Sequence, residues 1–373
     1  MSAIYNLQYL SRVDSAAIRD AAKMYNGTSD MKMEIRSIGG AYILPDKDLT
    51  GGVISESGAY YDSSYFSRGL SRSRWVSKES ANYRDEPVLY VGMFNYVWGH
   101  CFTDDIKMFW FLLDSGAKEK FDSMKWVYTS VGNNKEMPEY FKWILDRLGI
   151  GSDRLEHISE DTFFTDVYLP DECFMKAGQY HTIYTKEYLK LVEKITDGIV
   201  PDSSRKKIYL SESSMKSKKN WGIRRIERAF KKNGYTVVNP QDFSIEQQIA
   251  IYEGCEAMAS TEGSISHNAI FVKEGCSVTL VRKFRFINRY QMAINDMRSL
   301  NVTYIDANLS NMPFCGTQKQ AGPFFLFVNA GLARMLHTIP FFPVIHYLLY
   351  CLHTLKWKVK CWARGIDLYK TEL

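Results

Sequence analysis

The stretch STEGSISHNAIF, residues 260–271, sets Glu262, Gly263, Ser264, Ser266, His267 and Asn268 together between apolar runs. A core has no use for such a cluster, whereas a ligand carrying phosphates and hydroxyls does. The cluster follows EAMAS, so it falls where a strand ends and a helix begins. In open α/β sheets ligands bind at the carboxyl ends of strands, and a helix N-terminus offers free N–H groups and a positive dipole end. Gly263 lets backbone come close to such a ligand. On a helix starting at Ser264, the side chains of Ser264, His267 and Asn268 share one face, and Ile265, Ala269 and Val272 turn toward the sheet. The grouping suits a diphosphate. It equally suits a capped helix with a satisfied surface His and Asn.

A second constellation lies in NYVWGHCFTDDIKMFWFLL, residues 95–113. Read as a helix, it places Phe102, Ile106, Phe109, Trp110 and Leu113 on one apolar face and His100, Asp104 and Lys107 on the other. His100 and Asp104 are one turn apart and within hydrogen-bonding reach. A carboxylate held by an imidazole is a general base in waiting. Asp105 points about 100° away around the helix. The commoner meaning of such a pattern is an amphipathic helix with a solvated face. No HExxH, zinc, Walker or GxGxxG pattern occurs, nor a DxD in a strand–loop context, which disfavours P-loop hydrolysis and dinucleotide redox chemistry and predicts no metal site.

These residues need elements to hold them. From residue 207 the chain alternates cleanly: strands at KIYLS, YTVVNP, EAMAS, SVTLV and VTYID, with helices between. One helix begins at Ser244 with Gln247 three residues on, a capping box. Five strands and four helices predict a doubly wound, Rossmann-like sheet. Upstream, PVLYVG and WVYTSV read as strands, GHCFTDDIKMFWFLLDSG as one helix closed by Gly116, and PEYFKWILDRLGI as a helix capped by Gly149. Residues 180–200 read as a linking helix, and residues 1–86 as an irregular meander. At 373 residues, two domains are the prior. The boundaries read as 1–195, an acceptor-side α/β domain; 196–322, a Rossmann-like nucleotide-sugar domain; and 323–373, C-terminal helices.

The apolar fraction of 46% and charged fraction of 24% are those of a globular protein. The net charge of +5 is concentrated after residue 323, where six basic residues face two acidic ones. That is a basic tail rather than a broad basic face, so nucleic acid is not the expected partner. Seven scattered cysteines without a CxxC pair, and a first segment without a basic-then-apolar leader, predict reduced thiols and a cytoplasmic location.

Taken together, NYVWGHCFTD before an apolar helix and TEGSISHNAIFVKEG before a strand resemble glycosyltransferase family 61. KIYLSES…KSKKN and SIEQQIAIYEGCEAMAS resemble the family's elements just before its glycine loop, and the likeness runs over about 85–310. Glu262 stands where the family often has His, Glu212 where it has Arg, and Lys218-Lys219 where it has arginines. The resemblance implies a GT-B-like pair of Rossmann-like domains facing a central cleft. It implies inverting, metal-independent transfer from a nucleotide-sugar, UDP-sugar first, to a glycan or lipid-linked glycan in surface or capsular polysaccharide synthesis. Asp104 would then be the base with His100 beside it. Lys218, Lys219, Glu262, Gly263, Ser264, His267 and Asn268 would bind the donor, with no cofactor. The alternative is a catalytically silent scaffold that binds glycan or nucleotide.

Residues 335–355 hold no Asp, Glu, Lys or Arg, but Pro340, Pro343 and three histidines interrupt the run before the basic KWKVKCWAR. Two readings stay open. One is a surface-lying anchor over 335–364 on an anionic membrane, at the inner face of the plasma membrane. The other is helices packed back on the domains.

Overall fold

The alternation after residue 200 folds as a six-stranded, wholly parallel sheet. The computed structural model describes residues 2–25, 32–47, 50–61, 74, 76–177, 181–215, 220–284, 286–308 and 324–363. Across the sheet the strands run Ile4–Asn6, Asn301–Asp306, Ser277–Arg282, Ala257–Thr261, Lys207–Leu210 and Thr236–Val238. Five of the six strands are those the sequence predicts. The sixth comes from the other end of the chain, where Ile4 pairs with Asn301 and Asn6 with Thr303.

The strand order has a consequence for binding. From Lys207–Leu210 the chain steps one way to Thr236–Val238, then the other way to Ala257–Thr261 and onward. The order therefore reverses between the strands ending at Leu210 and Thr261. At such a switch point the connecting loops part and leave a crevice at the carboxyl ends. The helix Ile223–Lys232 covers this sheet with Ile223, Ile226, Ala229 and Phe230, the three-and-four spacing of one helical face. They pack with Tyr209, Ala259, Val281 and Ile305 from the strands.

The chain divides into two units, Gly27–Gly198 and Met1–Asn26 with Ile199–Leu373. The division at 198/199 differs from the expected 195/196, and the first 26 residues belong with the C-terminal unit. Their strand completes the parallel sheet, and Asp14 of the helix Arg12–Tyr25 lies 3.3 Å from the buried guanidinium of Arg282.

The unit Gly27–Gly198 departs from a second doubly wound sheet. Its seven strands are mixed: Tyr60–Tyr61, Thr50–Ser55, Ile35–Lys47 and Thr162–Pro170 pair antiparallel, whereas Asn82–Phe94, Lys125–Ser130 and Leu155–His157 continue in parallel from there. Ile43, Val88, Tyr90, Val127, Phe164 and Val167 form its core. The 1–86 meander thus supplies a hairpin to the sheet edge. The helix expected over 99–116 is broken into Trp98–His100, a wide π-helical turn Cys101–Asp105, a tight turn Phe109–Leu113 and a separate helix Ser115–Asp122. Gly116 does not close a helix. It lies in the first turn of the last piece, where Asp114 caps it by accepting from the Gly116 N–H at 2.9 Å. Gly149 does cap Glu139–Leu148, at φ +79°.

Candidate active site

In the Gly27–Gly198 unit the helical break brings His100 and Asp104 together. His100 Nδ1 lies 2.5 Å from Asp104 Oδ2. Two lone pairs cannot approach so closely, so a proton sits between them. The Thr103 hydroxyl lies 2.9 Å from the same carboxylate oxygen and 3.1 Å from the Gly99 carbonyl. The Asp104 side chain is 1% exposed and the His100 ring 13%. The imidazole is therefore the partner that reaches the surface.

Asp105 does something else. Its two oxygens accept from the backbone N–H groups of Asn95 and Tyr96, at 2.9 and 3.3 Å. Tyr96 has φ +57°, an uncommon conformation for a non-glycine residue, and Asp105 holds it there. Burial pushes the Asp105 carboxyl up to about 8, against the pull of those two amides. Lys107 does not face water with His100 as expected. It pairs with Glu172 at 2.7 Å, both side chains buried. Burial works against its charge, but Glu172, Asp104 and Asp105 together hold its ammonium above the ordinary value.

The second cluster sits at the carboxyl edge of the parallel sheet. Glu212 lies just past the strand ending at Leu210, Glu262 just past Thr261, and Arg282 and Lys283 at the end of the next strand. These four come from both sides of the switch point and its neighbour. Lys283 Nζ donates to Glu212 Oε2 at 3.1 Å, and Asn220 Nδ2 donates to the same oxygen at 3.0 Å. Arg282 lies 3.0 Å from Asp306 and 3.3 Å from Asp14. Arg282 and Lys283 are buried, and Asn288 caps the helix Arg289–Met297. Arg285 lies outside the described residues.

Glu262 is fully buried, and neither of its oxygens has a hydrogen-bond partner of ordinary geometry among the described residues. Burial pushes its carboxyl up to about 7, while Arg282, the Asn288 backbone and Lys283 pull the other way. A buried acceptor without a donor is costly and marks a place where a ligand's donor belongs. Gly263 follows at φ +133°, and a Cβ there would meet Lys283 Nζ at 3.3 Å. The backbone conformation favours glycine, and a larger residue would also push the ammonium aside by a few tenths of an ångström.

The loop after Gly263 is not the α-helix expected from Ser264. It is a six-residue 3-10 turn, Ser266–Phe271, with Ser264 outside it and half-exposed. Ser266, not Ser264, closes the turn: its hydroxyl donates to the Gly263 carbonyl at 2.7 Å. His267 and Asn268 are buried rather than on a surface face. His267 Nε2 lies 3.1 Å from Asn288 Nδ2, and Asn268 donates to the Ile265 carbonyl at 3.0 Å. Asn268 therefore holds the loop together. Lys218 and Lys219 lie outside the described residues.

The model of the family Glycosyltransferase 61 matches residues 98–279, a span that opens at the His100–Asp104 turn and ends in the strand after Glu262 and Gly263. Residues 98–279 belong to glycosyltransferase family 61. This glycosyltransferase therefore transfers a sugar from a donor to an acceptor, and the scaffold alternative gives way to an enzyme. No curated protein matches the chain.

Because the folded pKa of Glu262 lies above its unfolded value, the folded state binds more protons than the unfolded one between about 4.5 and 7. Stability contributed by the neutral carboxyl is present below that window and is lost as pH rises through it, by about 3 kcal/mol. Glu262→Gln stays neutral throughout. The difference in melting temperature between the Glu262→Gln variant and the parent should be small at pH 5 and move in favour of the variant by about pH 8.5. A pH-independent difference would mean that Glu262 keeps one charge state across the range.

Proposed function

We propose that this enzyme is an inverting glycosyltransferase that uses a nucleotide-sugar donor and a glycan acceptor of a surface polysaccharide. The observation that carries the proposal is the 2.5 Å His100–Asp104 contact, with Asp104 buried and His100 the more exposed of the two. With the shared proton on Nδ1, the other imidazole nitrogen is the one with a lone pair. His100 then takes the proton of the acceptor hydroxyl as it attacks the sugar's anomeric carbon. Asp104 steadies the imidazolium that forms and fixes its tautomer. This reverses the roles expected from sequence, because the carboxylate is the enclosed member of the pair.

The donor is assigned to the carboxyl edge of the parallel sheet. The charges there do not form a net cationic pocket: Lys283 is matched by Glu212, and Arg282 by Asp14 and Asp306. Glu262 suits hydroxyl donors, of a ribose or of the transferred sugar, better than phosphate. Neutralising the leaving diphosphate falls to Lys218 and Lys219, which the family likeness singles out.

Melting of the enzyme against a panel of nucleoside diphosphates and nucleotide-sugars, with and without EDTA, tests the proposal. A ligand bound only by the folded state at about a hundred times its Kd adds about 2.7 kcal/mol of stability. One base should raise the melting temperature by several degrees, uridine diphosphate being the first candidate, and EDTA should not change the rise. No rise with any nucleotide would remove the donor site from this sheet edge. A rise abolished by EDTA would overturn metal independence.

A further inference from the structure

The helix Val344–Ala363 is built the wrong way round for a helix that only packs on its own protein. Its inward face carries Tyr347, Tyr350 and Cys351, which pack with Phe325, Phe342 and Trp221. His346 and His353 also turn to this side, each with its ring 6.4 Å from that of Trp221. The outward face carries Ile345, Leu348, Leu349, Leu352, Leu355, Val359 and Trp362, all exposed, Ile345 at 74% and Trp362 at 81%. These positions follow one another at three- and four-residue steps, so they form a single apolar stripe along the helix. A protein that leaves a continuous row of leucines in water is keeping them for something else.

The flank of the stripe says what that is. Lys356 and Lys360 are exposed, and on a helical projection they lie together along one edge of the stripe. No acidic residue occurs between residues 324 and 366. Trp362 lies at the apolar, lysine-bearing end, and an indole prefers the boundary between headgroups and acyl chains. Among the described residues no helix is long and apolar enough to cross a membrane. Both faces of this one are also committed, one to protein and one to the exterior.

We propose that the outward face of Val344–Ala363 lies on an anionic lipid bilayer. Leu348, Leu352, Leu355, Val359 and Trp362 enter the acyl boundary, and Lys356 and Lys360 meet the headgroup phosphates and carboxylates. The proposal settles the sequence ambiguity on both sides, since the helix packs on its own unit by one face and docks by the other. It does not depend on the identity of the donor.

Co-sedimentation of the full chain with phosphatidylcholine vesicles, with and without phosphatidylserine, tests it. The chain should partition onto the anionic vesicles about tenfold better than onto neutral ones, and salt should weaken binding. Leu348→Glu with Leu352→Glu should cut binding by roughly tenfold or more, and Lys356→Glu with Lys360→Glu should remove the preference for anionic lipid. All four positions are exposed, so melting temperature and donor-induced stabilisation should be unchanged in both variants. Failure to sediment with anionic vesicles overturns the proposal, as does undiminished binding by the leucine variant. A lipid-free dimer that the leucine variant turns into a monomer also overturns it, by assigning the face to a second copy of the chain.

Discussion

Asp104→Asn should lower turnover by roughly 10²- to 10⁴-fold, the range for a lost general base, while leaving donor affinity within about twofold. The reason lies in one proton. In the parent, Asp104 accepts from His100 Nδ1–H at 2.5 Å, so the basic lone pair sits on the far nitrogen. An asparagine is the same size but presents an amide. Its N–H₂ donates to Nδ1, which favours the opposite tautomer and puts a hydrogen where the base should be. Its carbonyl also stabilises an imidazolium far less than a carboxylate does. Asp104 lies in the Gly27–Gly198 unit and the proposed donor residues in the other, so donor-induced thermal stabilisation should survive. His100→Gln separates the two assignments of the base. If the imidazole takes the proton, this variant falls as far as Asp104→Asn. If Asp104 takes it directly, His100→Gln keeps most of its activity. Unchanged turnover in Asp104→Asn would remove the pair from the chemistry altogether.

The parts of this site legible in the sequence are those set by local spacing. His100 and Asp104 sit four residues apart, and four residues bring two side chains together whether the turn is α-helical or, as here, wider. The alternation from residue 207 gives five strands of the sheet, because buried parallel strands are short apolar runs and the helices between them carry caps such as Ser244 with Gln247. What failed is non-local or inverted. Ile4–Asn6 is three residues long and pairs with a strand almost three hundred residues away, a match no local pattern encodes. Glu212 reads in the sequence as a departure from the family. It is half of a buried pair with Lys283, and a sequence shows charges without their counter-ions. The loop after Gly263 was read as an α-helix because its polar residues recur at three and four. In the fold Ser266 and Asn268 donate to the loop's own carbonyls and His267 meets Asn288, closing a tighter turn. The C-terminal helix hides its meaning in the same way. Its composition alone suits both burial and an anchor, and only the direction of its leucines separates them.

Lys283→Met should cost the Ile199–Leu373 unit about 3–5 kcal/mol, the range for breaking a buried ion pair from one side. Lys283 is 5% exposed at its side chain and Glu212 1%, so the carboxylate left behind has no route to water. Asn220 still donates to it, but one neutral amide does not replace an ammonium at 3.1 Å. For a unit of about two hundred residues this lowers its unfolding transition by on the order of 10 °C. Glu212→Gln alone strands the ammonium instead and should also destabilise. The informative variant is the double one. With Lys283→Met and Glu212→Gln together no charge is buried unpaired, Asn220 can still bond the new amide's carbonyl, and much of the lost stability should return. Additive losses would mean that the two side chains act separately. The same pair bears on the donor. If Lys283 holds its position beside Gly263 only to neutralise Glu212, the double variant recovers donor-induced stabilisation along with its fold. If the ammonium also touches the donor, the fold returns and that stabilisation does not. The ammonium of Lys283 lies beside the glycine of the loop, 3.3 Å from where a Cβ would stand, and this position at the carboxyl edge of the sheet favours the second outcome.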